Sequence, residues 1–118
     1  MLKVFQFIVF IFLLSLGSLK SAESKNQMLM ITDTACMFCV FWENDIGKIY
    51  PKTDISKLFP LFRIEIKNFN KVDNKISKKV NVTPTFIFIE NENEKGRIIG
   101  YSSAELFWWQ VDEILEKN

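Results

Sequence analysis

Four apolar residues in a row, Met28-Leu29-Met30-Ile31, are too few for a helix and have no polar alternation. That is the signature of a strand buried on both faces. Thr85-Phe86-Ile87-Phe88-Ile89 is a second such run and the strongest strand signal in the chain, which places it centrally in a sheet. Leu61 to Ile66 is β-rich and alternates, predicting a third strand. From Cys36 to about Ile49 the pattern turns helical: Cys39, Val40, Phe41, Trp42, Ile46 and Ile49 are apolar, while Glu43, Asp45 and Lys48 are set to face solvent. Tyr50-Pro51 ends that helix, because proline disfavours helical backbone at the residue before it. Lys52 to Pro60 then reads as a loop with at most one helical turn.

Farther along, Val72, Ile76 and Val80 recur every fourth residue, predicting a short helix over 70–80. Asn91 to Gly96 is rich in turn formers and predicts a hairpin into a strand over Arg97–Tyr101. A last helix is expected from Ser102 or Ser103 to about Lys117, with Glu105 as capping support and a stripe of Phe107, Trp108, Val111, Ile114 and Leu115. Trp109 falls off that stripe, as a surface contact or a partly buried ring. The expected order is βαβαββα, one small α/β domain over residues 28–118 whose first two strands are parallel.

The N-terminal 22 residues differ in kind. Lys3 precedes a run from Val4 to Leu16 interrupted only by Gln6 and Ser15, and small or polar residues follow. This reads as a secretory signal, cleaved after Gly17 or Ala22, with residues 23–27 as a polar linker. An uncleaved anchor is the alternative, although the run is shorter than the ~20 residues that span a bilayer comfortably.

Composition narrows the chemistry. The formal charge is +1, and loss of Lys3 and Lys20 with a signal would leave 13 basic against 14 acidic residues, so no nucleic-acid partner is expected. The chain has no histidine, which excludes His-dependent triads and Cys/His zinc sites within it. Two cysteines are too few for a four-thiolate site, and no metal or cofactor is expected.

Those two cysteines, Cys36 and Cys39, lie three apart where the first strand gives way to the first helix. They can form a redox couple, a static surface disulfide or two buried thiols; spacing alone does not decide. A cysteine at a helix start can cap it, its sulfur accepting hydrogen bonds from the free N–H groups of Phe38 and Cys39 while the helix dipole favours a thiolate. Thr83-Pro84 stands directly before the buried strand, either as a simple strand start or as part of the site.

The element order, the Cys36-Met37-Phe38-Cys39 opening of the first helix, and a Thr-Pro whose proline lies 45 residues after Cys39 together resemble the thioredoxin fold, a four-stranded mixed sheet flanked by helices. Phe41-Trp42, Tyr50-Pro51, the stretch from Val82 to Phe86, that from Gly96 to Tyr101, and Phe107-Trp108 look most like small periplasmic thioredoxin-like proteins of bacterial sulfur-oxidation systems, the SoxS type. The resemblance covers residues 28 to 116. It implies that Pro84 follows a cis bond and lies beside the cysteines, leaving the Thr83 backbone to pair with an extended client segment. Three positions depart from thioredoxins: Met30 replaces a buried aspartate, Ala35 a tryptophan, and Met37-Phe38 the Gly-Pro between the cysteines.

On this reading Cys36 is the exposed nucleophile and Cys39, packed under Val40 and Phe41, the resolving thiol. Met37 and Phe38 form an apolar lip for clients, unless Phe38 turns partly into the core. The Thr83 hydroxyl can tune the sulfurs or be an ordinary strand-entry side chain. Glu43 is a proton relay or a solvated helix charge. The expected activity is periplasmic reduction of protein disulfides by a monomer. Implied partners are client disulfides, among them a sulfur-carrier protein, and a membrane thiol transporter of the DsbD or CcdA kind as electron donor. A dithiol oxidase and a binding module with a locked disulfide are the alternatives. Isomerases that share the Thr-Pro feature carry a dimerisation domain for which no residues remain.

Overall fold

The computed structural model describes residues 26–72 and 78–117; residues 1–22, where a signal is expected, and most of the expected linker over 23–27 lie outside the described residues. Strand β1 runs Gln27–Thr32 and β2 Leu61–Glu65, paired in parallel with Ile31 opposite Ile64. Strand β3, Thr85–Glu90, lies antiparallel on the other side of β1, and β4, Asn93–Ile99, pairs antiparallel with β3. The sheet order β2-β1-β3-β4 therefore puts the two all-apolar runs in the interior.

Alternation explains why these runs have no polar face. Met28 and Met30 join Phe86 and Phe88 in one cluster, while Leu29 and Ile31 join Ile87 and Ile89 in another on the opposite face. The first face is covered by α1 (Met37–Trp42), its continuation as a π turn over Glu43–Gly47, Tyr50 at the start of a 3-10 turn over Tyr50–Lys52, and the closing helix. A short helix α2, Asp54–Leu58, follows, and Phe59 after it joins the same cluster.

The second face is covered by α3, Ile66–Val72, which places Phe69 in its cluster. The helix expected over 70–80 is met at 70–72, but it starts earlier, at Ile66, and 78–80 are not helical. The chain turns helical immediately after β2, because Ile66 and Phe69, three apart, are what reach the bare face of β1 and β3. Residues 73–77, including Ile76, lie outside the described residues. Val80 fills the same cluster from backbone that is neither helix nor strand.

The first helix also differs from expectation. Its buried residues are Cys39, Trp42 and Ile46, while Val40, Phe41 and Ile49 are exposed. Val40 and Phe41 lie off the face set by Cys39, Trp42 and Ile46, and Ile49 follows the π turn, which alters the phase of the helix after it.

The hairpin is tighter than expected. Its turn is Asn91-Glu92, both in left-handed backbone (φ 52° and 71°), and β4 begins at Asn93. Gly96 is a strand residue: a Cβ there would lie 3.0 Å from an Ile114 side-chain carbon, so glycine lets the last helix approach the sheet. That helix, α4, spans Ala104–Glu116, and the Ser103 hydroxyl accepts the Leu106 N–H at 3.2 Å. Ser103→Ala is expected to cost about 1 kcal/mol, read as a lower urea midpoint at unchanged slope.

Candidate active site

A turn over 33–35 carries the chain from β1 to Cys36, whose N–H donates to the Asp33 carbonyl at 3.2 Å. Cys36 is the N-cap of α1, in extended backbone, and its Sγ accepts the Cys39 N–H at 3.0 Å. Of the two N–H donors expected for that sulfur, only Cys39 supplies one. The two cysteines are joined as a disulfide with their Cα atoms 5.2 Å apart. Their surroundings are unequal: Cys36 is half-buried at the surface, and Cys39 is 4% exposed.

Cys39 packs into the cluster of Met30, Trp42 and Phe86 rather than under Val40 and Phe41, which are exposed. The position resembling a buried acid is thus filled by a fully buried thioether. Apart from the Tyr50 phenol and the Trp42 indole, the buried members of that cluster are apolar side chains and the Cys39 disulfide sulfur. Tyr50 donates its hydroxyl to the Phe59 carbonyl at 2.6 Å, and burial pushes its phenol well above the usual range. Trp42 Nε1 is buried with no hydrogen-bond partner among the described residues.

The sheet brings the second motif to the same end. Ile31 pairs with Thr85, so Thr83-Pro84 lies where β3 begins, level with the end of β1 from which the Cys36 turn departs. The Thr83–Pro84 bond is cis; Pro84 is buried and Thr83 half-buried. Two bonds hold this loop. Gly100 N–H donates to the Pro84 carbonyl at 2.8 Å, and the Thr85 hydroxyl donates to the Val82 carbonyl at 2.7 Å.

Met37 and Phe38 are 67% and 55% exposed, so the Phe38 ring stays out of the core. It meets the exposed Phe41 edge to face at 6.0 Å. Glu43 is a partly exposed charge on the π turn, and its carboxylate accepts both Arg63 Nε–H and Nη2–H, at 2.6 and 2.9 Å. That bidentate bond holds the guanidinium's pKa up and commits the carboxylate to β2. Trp109 is exposed.

One pair escaped the sequence reading. The Tyr101 hydroxyl donates to Asp45 Oδ2 at 2.7 Å, linking the segment after β4 to the π turn across 56 residues. No periodicity signals such a bond.

Comparison with known proteins agrees with this geometry. A family model described as thioredoxin-like domain matches residues 16–115. Among solved structures, the periplasmic thioredoxin SoxS from Paracoccus pantotrophus, in reduced form, superposes with a TM-score of 0.71 at 25% identity, covering 79% of this chain and 98% of its own. The germline-specific thioredoxin Deadhead of Drosophila melanogaster (TM-score 0.60, 21% identity, 77% and 83% covered) and a thioredoxin of Fasciola hepatica (0.54, 18%, 80% and 83%) share the fold. No curated protein sequence matches significantly. With a mixed sheet in the order 2-1-3-4, a Cys-x-x-Cys disulfide capping the first helix, and a family model spanning most of its length, the chain belongs to the thioredoxin-like domain family.

Proposed function

We propose that this protein is a periplasmic thiol–disulfide oxidoreductase that reduces protein disulfides through Cys36 and Cys39. The observation that carries the reading is the inequality of the two sulfurs: one at the surface receiving a backbone N–H, the other buried one helical turn away. A thiolate at Cys36 keeps the Cys39 N–H and the positive end of the α1 dipole as stabilising partners.

Starting from the dithiol, the Cys36 thiolate attacks one sulfur of a client disulfide. A Cys36–client bond forms, the client S–S bond breaks, and the displaced client sulfur leaves as a thiolate that takes a proton from water. Cys39 then loses its proton and attacks the Cys36 sulfur, forming the Cys36–Cys39 disulfide and releasing the second client thiol. The client gains two electrons and two protons, and the protein loses them. The disulfide is the product of that cycle, and a membrane thiol donor of the DsbD or CcdA kind would restore the dithiol.

Met37 and Phe38 supply an exposed apolar lip beside the sulfurs, and the Thr83 backbone an edge for an extended client segment. Export is supported by the signal-like residues 1–22 and by the likeness to a periplasmic thioredoxin. Among the described residues no helix is long and apolar enough to cross a membrane. A sulfur-carrier protein is proposed as one client on the sequence resemblance to thioredoxin-like proteins of sulfur-oxidation systems.

Equilibration with glutathione buffers tests the direction of flow. A reductase is expected to poise near the thioredoxin value of about −270 mV; a value near the −120 mV of a strong oxidant would reverse the assignment. A disulfide that dithiothreitol does not open would make the domain a binding module instead.

A further inference from the structure

We propose that Tyr101 and Asp45 are a positioning pair that sets the Thr83–Pro84 loop against the cysteine helix and thereby governs exchange with protein clients. The inference rests on the thiol-exchange reading above, and it concerns client fit rather than sulfur chemistry.

Two consecutive residues after β4 hold the two halves of the site. Gly100 donates its N–H to the Pro84 carbonyl at 2.8 Å. Tyr101 donates its hydroxyl to Asp45, in the π turn that continues the helix begun by Cys36. A loop and a helix far apart in the sequence are thus tied through two consecutive residues. Gly100 has φ +80°, and a Cβ there would meet nothing within 4 Å. The backbone conformation, not lack of room, is what calls for glycine. It lets the chain leave β4 with one residue bonded to the loop and the next to the helix.

The Tyr101 ring is fixed from a third side by Phe107 of α4, edge to face at 6.4 Å. The half-buried setting and the Asp45 carboxylate both keep the phenol protonated, so it remains a donor. A hydroxyl bonded to a carboxylate is among the stronger neutral-donor bonds. Losing it leaves the Trp42–Phe86 packing in place but removes the polar tie that fixes the Gly100–Pro84 unit against the end of the helix. An extended client must contact both at once, whereas a small disulfide needs only Cys36.

The test uses the full chain with Tyr101→Phe, which keeps the ring, and Asp45→Ala. In oxidised protein the Gly100 amide is expected to exchange hydrogen about tenfold faster in either variant, with core amides of β1 and β3 unchanged. Insulin reduction is expected to fall about tenfold in kcat/KM, mainly through KM, while reduction of Ellman's reagent and the glutathione equilibrium stay within about twofold of wild type. The double variant should be no worse than either single. Unaltered Gly100 exchange, equal losses on both disulfides, an unchanged insulin rate, or additive losses would each overturn the pair's role. If the wild-type protein does not reduce insulin at all, the functional reading fails on its own, and Gly100 exchange alone decides whether the pair positions the loop.

Discussion

Cys36→Ser is expected to lower protein-disulfide reduction at least about a thousandfold, to the level of buffer thiols. A serine hydroxyl at this position stays protonated and cannot form the mixed disulfide, so the first bond of the cycle is never made. The fold should be kept. Cys36 is half-buried, and a serine preserves the N-cap oxygen that can accept the Cys39 N–H in place of sulfur. Cys39→Ser should behave differently. Its first attack survives and turnover stops, since the buried sulfur that ends the cycle is missing. Insulin turbidity under limiting dithiothreitol reads the losses, and unfolding curves near wild type separate them from loss of structure. Full activity in Cys36→Ser would move the nucleophile elsewhere.

Trp42→Ala is expected to destabilise the domain by about 3–5 kcal/mol. The indole is fully buried, with ring centroids 4.9 Å from Phe86, 5.7 Å from Phe107 and 6.4 Å from Tyr50. It joins the cysteine helix to β3 and α4 at once, so no single neighbour can close over the space it leaves. Against a typical total of about 5–15 kcal/mol, such a loss can unfold a small domain at 37 °C. Trp42→Phe separates ring volume from the indole nitrogen. Nε1 has no partner among the described residues, so phenylalanine removes an unpaired buried donor along with part of the ring, and the cost should be less than half that of alanine. Urea denaturation of the oxidised protein measures both. Equal losses in the two variants would mean that Nε1 is satisfied in solution.

The parts of this fold that were legible are those whose physics is local or strictly periodic. Met28–Ile31 and Thr85–Ile89 announce strands covered on both faces, because no polar residue interrupts either face. Ser103 announces a cap because its hydroxyl acts within one turn. Cys36 and Cys39 were legible as a pair, and Thr83-Pro84 as a break before a buried strand. What was misread depends on partners distant in sequence. Val40, Phe41 and Ile49 belong to the apolar helical pattern, yet the face set by Cys39, Trp42 and Ile46 leaves Val40 and Phe41 in solvent, and Ile49, after the π turn, is exposed as well. The fourfold spacing of Val72, Ile76 and Val80 misses the start of the helix at Ile66, whose Phe69 joins the cluster of Leu29 and Ile87; Val80 joins it from non-helical backbone. Gly96 reads as a turn residue because glycine is common there; its reason is the closeness of Ile114.

Charged and hydroxyl pairs were less legible still. For Glu43, expected as a proton relay or a solvated helix charge, the partner stands 20 residues later on β2 as Arg63, and the carboxylate stays partly exposed. Asp45 looked like ordinary solvent-facing charge until Tyr101 was placed against it. Neither bond leaves a pattern in the sequence, because each depends on how a loop end meets a helix after the sheet has formed.

The exchange mechanism is tested most directly by mapping the covalent adduct that reduced Cys39→Ser forms with insulin. Mass spectrometry of the digested adduct should find the insulin sulfur on Cys36, in stoichiometric yield and released by dithiothreitol, with no adduct from Cys36→Ser. Absence of any adduct from Cys39→Ser, or an adduct of equal yield on Cys39 in Cys36→Ser, would contradict the assignment of Cys36 as nucleophile and Cys39 as resolving thiol.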